Sequence, residues 1–135
     1  MAYAQSKTAT LWAANEIERR YGAQGVHALS VHPGVIATTE LARNLPQDQF
    51  EKMLEANVAR KHLKDLGQGA ATTLWAALSP ELEGKGGLYC EDCHIAEPAS
   101  AGAGPGTPGY AEHAYDPEGE AKLWALSEKM ASAAA

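Results

Sequence analysis

The run Val26–Val31 lies between Gly25 and Pro33 and shows no strict alternation of polar and apolar residues. That pattern suits a parallel strand covered on both faces, since a wet face would call for a polar residue at every second position. Helices must supply the cover. Before the run, Leu11, Ala14, Ile17 and Tyr21 form a stripe at helical spacing and predict a helix from Ala4 to Tyr21. Gly22 is expected in its left-handed closing position, with Glu16, Glu18, Arg19 and Arg20 on the wet side. After the run, Pro33-Gly34 turns the chain, and Pro46 opens a helix from Gln47 to about Ala59 with Phe50, Met53, Leu54 and Val58 as its apolar set. The alanine-rich stretch Gln68–Leu78, closed by Pro80, predicts a third helix, and Leu88–Glu91 a last strand. A flexible loop is expected over 96–115, its Ala, Gly, Pro and Ser content densest from Ala96 to Gly109. Asp116 caps a final helix with Pro117 at its first position, reaching about Met130 and leaving 131–135 as a tail.

Two short strands cannot bury several helices on both sides, and a parallel strand without neighbours leaves backbone groups unpaired. The chain alone is therefore expected to be marginally stable or molten unless it borrows a partner's sheet. Its 135 residues match one domain, and an apolar share of 45% allows a core. A net charge of −6 speaks against binding nucleic acid or an anionic membrane surface. No apolar stretch approaches the roughly 18 residues of a spanning helix. No signal-peptide pattern precedes Tyr3, so a cytoplasmic protein is expected.

The chemistry begins at Tyr3-Ala4-Gln5-Ser6-Lys7. Residues four apart on a helix project from one face, so a phenol and an ammonium become neighbours. A free tyrosine titrates near pKa 10, about three units too high for ready proton exchange at neutral pH. A nearby positive charge favours the phenolate and lowers that value. The pair thus offers a general acid/base for carbonyl–alcohol redox chemistry.

Further motifs follow in order: Pro33-Gly34 with Thr38 four residues beyond the glycine, the segment Gln68-Gly69-Ala70-Ala71-Thr72-Thr73-Leu74-Trp75, the segment Gly87-Leu88-Tyr89-Cys90-Glu91-Asp92-Cys93, and the ending Ala121–Glu128. From Tyr3 to about Met130 the chain resembles the C-terminal half of the short-chain dehydrogenase/reductase family, in its retinol-dehydrogenase-like and WW-domain oxidoreductase-like branch. The resemblance implies an α/β fold, the C-terminal part of a Rossmann-like doubly wound parallel sheet. Residues 1–135 would be a single partial domain, its N-terminal nucleotide-binding half absent. It implies that Tyr3 exchanges the proton at the substrate oxygen, while Lys7 lowers the Tyr3 pKa and bonds the nicotinamide ribose. Pro33, Gly34, the backbone near Ile36 and the Thr38 hydroxyl would hold the carboxamide and neighbouring phosphate. Thr38 is also a candidate helix N-cap.

The cofactor implied is NAD or NADP in a full-length relative, with none expected on this chain alone. No glycine-rich phosphate turn follows a strand here, and Gly102-Ala103-Gly104-Pro105-Gly106 reads as loop. The reaction implied is oxidation of an alcohol or reduction of a carbonyl on a small molecule, with pocket specificity in the segment from Glu40 to about Leu66. The isolated chain is expected to be inactive, lacking both the dinucleotide cradle and the carbonyl-polarising serine. The alternative is a non-catalytic interaction module, or a homo-oligomer, using the 68–78 helix and the last strand.

Cys90-Glu91-Asp92-Cys93-His94 fits the attachment pattern of c-type haem, but falls where the resemblance has a strand ending in Glu-Asp-Cys. Two reduced cysteines are the expectation, with no metal site, since a zinc centre wants four ligands. His27, His32, His62 and His113 carry no expected duty. Arg60-Lys61-His62-Leu63-Lys64 reads as a solvated helix face, and Trp12, Trp75 and Trp124 as packing anchors.

Overall fold

A computed structural model describes residues 2–36, 38–40, 43–59, 63–104 and 107–133, with the backbone alone given for 56–59. Helix α1 covers Ala2–Tyr21, α2 Gln47–Ala59, α3 Leu66–Leu78 and α4 Pro117–Ala133. The strands are β1 Leu29–His32, β2 Val35–Ile36, β3 Leu63–Lys64, β4 Leu88–Glu91 and β5 His94–Ile95. Strand β1 runs parallel to β4, pairing Leu29 with Leu88 and His32 with Glu91, and β5 folds back antiparallel on β4. A second small sheet pairs β2 with β3 in parallel, Val35 with Leu63 and Ile36 with Lys64. The parallel α/β character expected from the sequence is present, with five strands in two sheets among the described residues rather than two strands. The far edge of β1 pairs with no strand among the described residues.

Several boundaries differ from expectation for local reasons. The first strand begins at Leu29, not Val26, because the chain must first finish α1. A single 3-10 turn, Gly22–Gln24, tightens the helix end, and Val26 N–H reaches back to the Tyr21 carbonyl at 3.2 Å. Gly25, at φ +82°, takes the left-handed closing position assigned to Gly22. Val26 is left half exposed. Helix α3 starts at Leu66 because Asp65 and Gln68 form a reciprocal capping box, the Asp65 carboxylate accepting from Gln68 N–H at 2.7 Å and the Gln68 side chain accepting from Asp65 N–H at 3.0 Å. Asp116 caps α4, accepting from Gly119 N–H at 3.1 Å, with Pro117 first in the helix. The loop before it is tied at its base: Ala99 N–H meets the Tyr110 carbonyl at 2.8 Å and Tyr110 N–H the Glu97 carbonyl at 3.1 Å. Arg60, Lys61 and His62 of the basic cluster lie outside the described residues, as does the Val58 side chain. Leu63 and Lys64 belong to a strand, not to a helix face.

The apolar core is small: Leu82, Cys90, Ala96 and Ala114 are its buried members. The largest fully buried side chains are Glu120, Thr72 and Cys90. Glu16 and Asn15 of α1 are buried as well, so the expected wet side of α1 is in part its packed side. Burying a carboxylate is costly unless it is paired and hydrogen-bonded. Glu120 meets that condition by accepting from Asn15 Nδ2 at 2.8 Å and pairing with Arg19. Glu16 pairs with Arg19 and, at 2.6 Å, with Arg20. Trp12 Nε1 donates to the His113 carbonyl at 2.8 Å, and α4 approaches so closely that a Cβ on Gly119 would lie 2.7 Å from the Trp12 ring. This junction fixes the C-terminal half of α1 against α4.

Candidate functional site

Tyr3 and Lys7 lie in the first turns of α1, on one face, as i and i+4 residues must. The Lys7 Nζ sits 5.3 Å from the centroid of the Tyr3 ring, within reach of a cation–π attraction. Tyr3 is 59% exposed, and neither side chain forms a hydrogen bond or ion pair with another described residue. The phenol and ammonium are thus brought together and open to a ligand. Among the described residues, no hydrogen bond or ion pair joins either side chain to Pro33, Gly34, Ile36 or Thr38.

Those four residues form the second part of the site. Pro33 is exposed, while Gly34 turns the chain from β1 into β2 with φ +86°. Strand β2 then places Ile36 against α3, where a Cβ on buried Gly69 would come 2.7 Å from Ile36 Cγ1. Gly69 is therefore what lets α3 press on this segment. The Ile36 carbonyl accepts from the Thr39 hydroxyl at 3.1 Å. Thr38 is exposed, and its hydroxyl makes no hydrogen bond among the described residues. It caps no helix there, and is left available to a ligand.

The turn lies at the C-terminal ends of β1 and β4, where open α/β sheets take their ligands. The freedom of Gly34 also answers a demand inside the chain: a Cβ there would meet Lys64 Cδ at 2.6 Å and Nζ at 2.9 Å. Lys64 pairs in turn with Asp92 on the β4–β5 hairpin. The hydrogen bond from Lys64 holds the Asp92 carboxyl below the usual carboxylate range, against the opposing effect of burial, with weaker help from Lys64 charge and from His94 and His32. Sequence reasoning missed this pair because Lys64 looked like one more solvated cation.

The hairpin also decides the cysteines. Asp92 and Cys93 both take left-handed backbone, φ 47° and 58°, the geometry of a two-residue hairpin turn. Cys90 is fully buried under the sheet, and burial pushes its thiol pKa up, whereas Cys93 is exposed. A haem would need both sulfurs on one open face, which this arrangement does not offer. Buried Thr72 steadies the turn by accepting from Cys93 N–H at 3.3 Å. No cluster of metal-ligating side chains occurs among the described residues.

Behind β4, burial and the Glu91 charge push the Tyr89 phenol up to about 12. The Tyr115 hydroxyl accepts from Tyr89 N–H at 3.2 Å, and burial raises its pKa too. Both tyrosines are thus held neutral. Two surface hollows, one lined by Ala76–Glu83 and one by Glu112, His113 and 115–117, include neither Tyr3 nor Gly34. Chemistry, not concavity, marks the site. No helix among the described residues is long and apolar enough to cross a membrane.

No protein-family profile matches the chain. Individual proteins do. A Penicillium roqueforti protein named short-chain dehydrogenase/reductase prx1 is 51% identical over 129 residues, covering 96% of this chain and 37% of the relative. Oxidoreductase calI of Penicillium decumbens is 44% identical, over 96% of this chain and 38% of its own length. The human WW domain-containing oxidoreductase is 34% identical, over 96% and 28%. The chain thus spans little more than a third of the length of the fungal relatives. Half of its residues are identical to those of the prx1 protein along nearly its whole length, so the chain is similar to a part of proteins named short-chain dehydrogenase/reductase and oxidoreductase.

Proposed function

We propose that this chain is the proton-relay portion of an NAD(P)-dependent oxidoreductase acting on an alcohol/carbonyl pair of a small molecule in the cytoplasm. The observation that carries the reading is the placement of Tyr3 and Lys7, exposed on one face with the ammonium 5.3 Å from the ring centroid. Tyr3 is the general acid/base: its hydroxyl gives a proton to the carbonyl oxygen in reduction and takes it back in oxidation. Lys7 stabilises the phenolate left behind and bonds the cofactor ribose. Pro33, Gly34, Ile36 and Thr38 hold the carboxamide and the neighbouring phosphate. The nicotinamide, when bound, supplies hydride chemistry.

The chain by itself does not turn over and binds no dinucleotide tightly, because it carries no glycine-rich cradle after a strand. The open edge of β1 supports the same view, since an unpaired parallel edge is the place for another strand. A chimera tests this: the chain replaces the 129 matched residues of the Penicillium roqueforti relative. NAD(P)-linked alcohol oxidation by the chimera, and none by the chain alone, is expected. Turnover by the isolated chain, or failure of the folded chimera to bind NADH and NADPH, would refute the reading.

A second reading is favoured by one observation. Leu66, Leu74 and Leu78 stand more than half exposed along α3. Such a row suits subunit contact, with a homo-oligomer forming through the 68–78 helix and the sheet that holds the last strand. Leu74→Glu would then lower the molecular mass seen by light scattering while leaving the Tyr3 site intact.

A further inference from the structure

Lys64 links parts of the chain that share no sheet. Its backbone lies in β3, paired with Ile36 of β2. Its stem lies over Gly34, so tightly that a Cβ there would come 2.6–2.9 Å from Cδ, Cε and Nζ. Its ammonium ends on Asp92, at the tip of the hairpin that extends β4. The Lys64 side chain is 20% exposed and that of Asp92 61%, so the stem is packed while the carboxylate end of the pair meets solvent. Asp92 in turn is fixed by hairpin backbone that Thr72 of α3 steadies. One side chain therefore closes the gap between the β2–β3 sheet and the β1–β4–β5 sheet, directly over the turn that joins β1 to β2.

A half-buried lysine beside a phosphate-binding turn could instead be a phosphate ligand. Its pairing speaks against that: the charge is already answered by Asp92, and the stem is packed rather than extended towards solvent. What the arrangement controls is the position of the turn.

We propose that Lys64, latched by Asp92 across Gly34, is a positioning residue that holds the turn at Pro33 and Gly34 and strand β2 in place for the cofactor. This rests on the cofactor reading given above. Without the latch, β2 is held by pairing with β3 and by the packing of Ile36 on Gly69, and Gly34 is free to swing.

Amide hydrogen exchange in the 135-residue chain tests the latch. Lys64→Met and Asp92→Asn should each speed exchange at Val35, Ile36 and Thr39 by about tenfold, as expected for loss of a charged hydrogen bond that opens a local unit. Amides inside α4 should keep their rates, which separates local opening from unfolding. Lys64→Arg, and the charge swap Lys64→Asp with Asp92→Lys, should restore most of the protection. Unchanged exchange in both single variants, equally fast exchange at these amides in the unsubstituted chain, or failure of both rescues would overturn the latch. Dinucleotide binding by the chimera is a separate readout. If it fails while the exchange pattern holds, the cofactor reading falls and the latch stands as a purely structural device.

Discussion

The two ends of α1 differ in almost everything but backbone geometry. From Trp12 to Arg20 the helix is fastened to α4, with Glu16 and Asn15 buried, Arg19 shared between Glu16 and Glu120, and Trp12 closed over Gly119. From Ala2 to Lys7 it is exposed, and its two chemical side chains touch each other alone. The packed end is satisfied within this chain, whereas the chemical end presents side-chain groups that form no hydrogen bond or ion pair with another described residue. On the proposed reading a helix so divided is a handle: one end is held by α4 while the other offers Tyr3 and Lys7. Preorganisation of this kind is what acid–base catalysis asks of a scaffold.

The largest effect should come from the packed end. Glu120→Ala removes the shared acceptor of Arg19 and Asn15 and should cost on the order of 3 kcal/mol, the low end for a broken buried pair because Arg19 is itself partly exposed. Denaturant titration followed by circular dichroism measures it. In a marginal chain that loss means outright unfolding, and a cost below about 1 kcal/mol would show that the network does not hold the handle.

Gly119→Ala should cost about 2 kcal/mol, since the new methyl meets a rigid indole at 2.7 Å and Asp116 Oδ2 at 2.6 Å. The same titration reads it. A neutral result would mean that α4 can slide on α1.

Smaller effects follow from pH. Asp92 titrates below its unfolded value, so its contribution is complete above about pH 4 and is lost as pH falls through the lower folded value. Asp92→Asn should abolish that acid-side loss. Tyr89 has the opposite sense. Its folded value near 12 lies above the unfolded value of about 10, so its contribution is complete below pH 10 and disappears as pH climbs through 12. Ultraviolet titration should find one late phenolate, missing in Tyr89→Phe.

Where local chemistry decides, the sequence was readable. Pro46 and Gln47 opened α2, Asp116 and Pro117 opened α4, and Leu88–Glu91 formed the strand expected of it. The early start of α3 was readable too, because Asp65 and Gln68 have capping-box spacing, but the alanine run drew the boundary two residues late. The α1–α4 junction was not readable. Glu and Arg on a helix are exposed in most proteins, and burial of Glu120 is made tolerable by Arg19 and Asn15 a hundred residues away, while Glu16 is answered by Arg19 and Arg20 on its own helix. Strands β2 and β3 have two residues each, too few to show a period, and Lys64 becomes special only once Gly34 and Asp92 are folded around it. The shared helix face of Tyr3 and Lys7 was legible through helical spacing, while their chemical role came from the family resemblance. The support under Ile36 was not, because it depends on Gly69 meeting a residue more than thirty positions earlier.

The sharpest test sets the two ends of α1 against each other through Tyr3→Phe in the chimera with the Penicillium roqueforti relative. The exposed hydroxyl carries no internal bond, so stability should stay within about 0.5 kcal/mol of the parent. NAD(P)-linked turnover should fall by at least about 100-fold, as loss of a general acid/base demands. Parental turnover in a folded Tyr3→Phe chimera would contradict the assignment of the proton relay to this helix end.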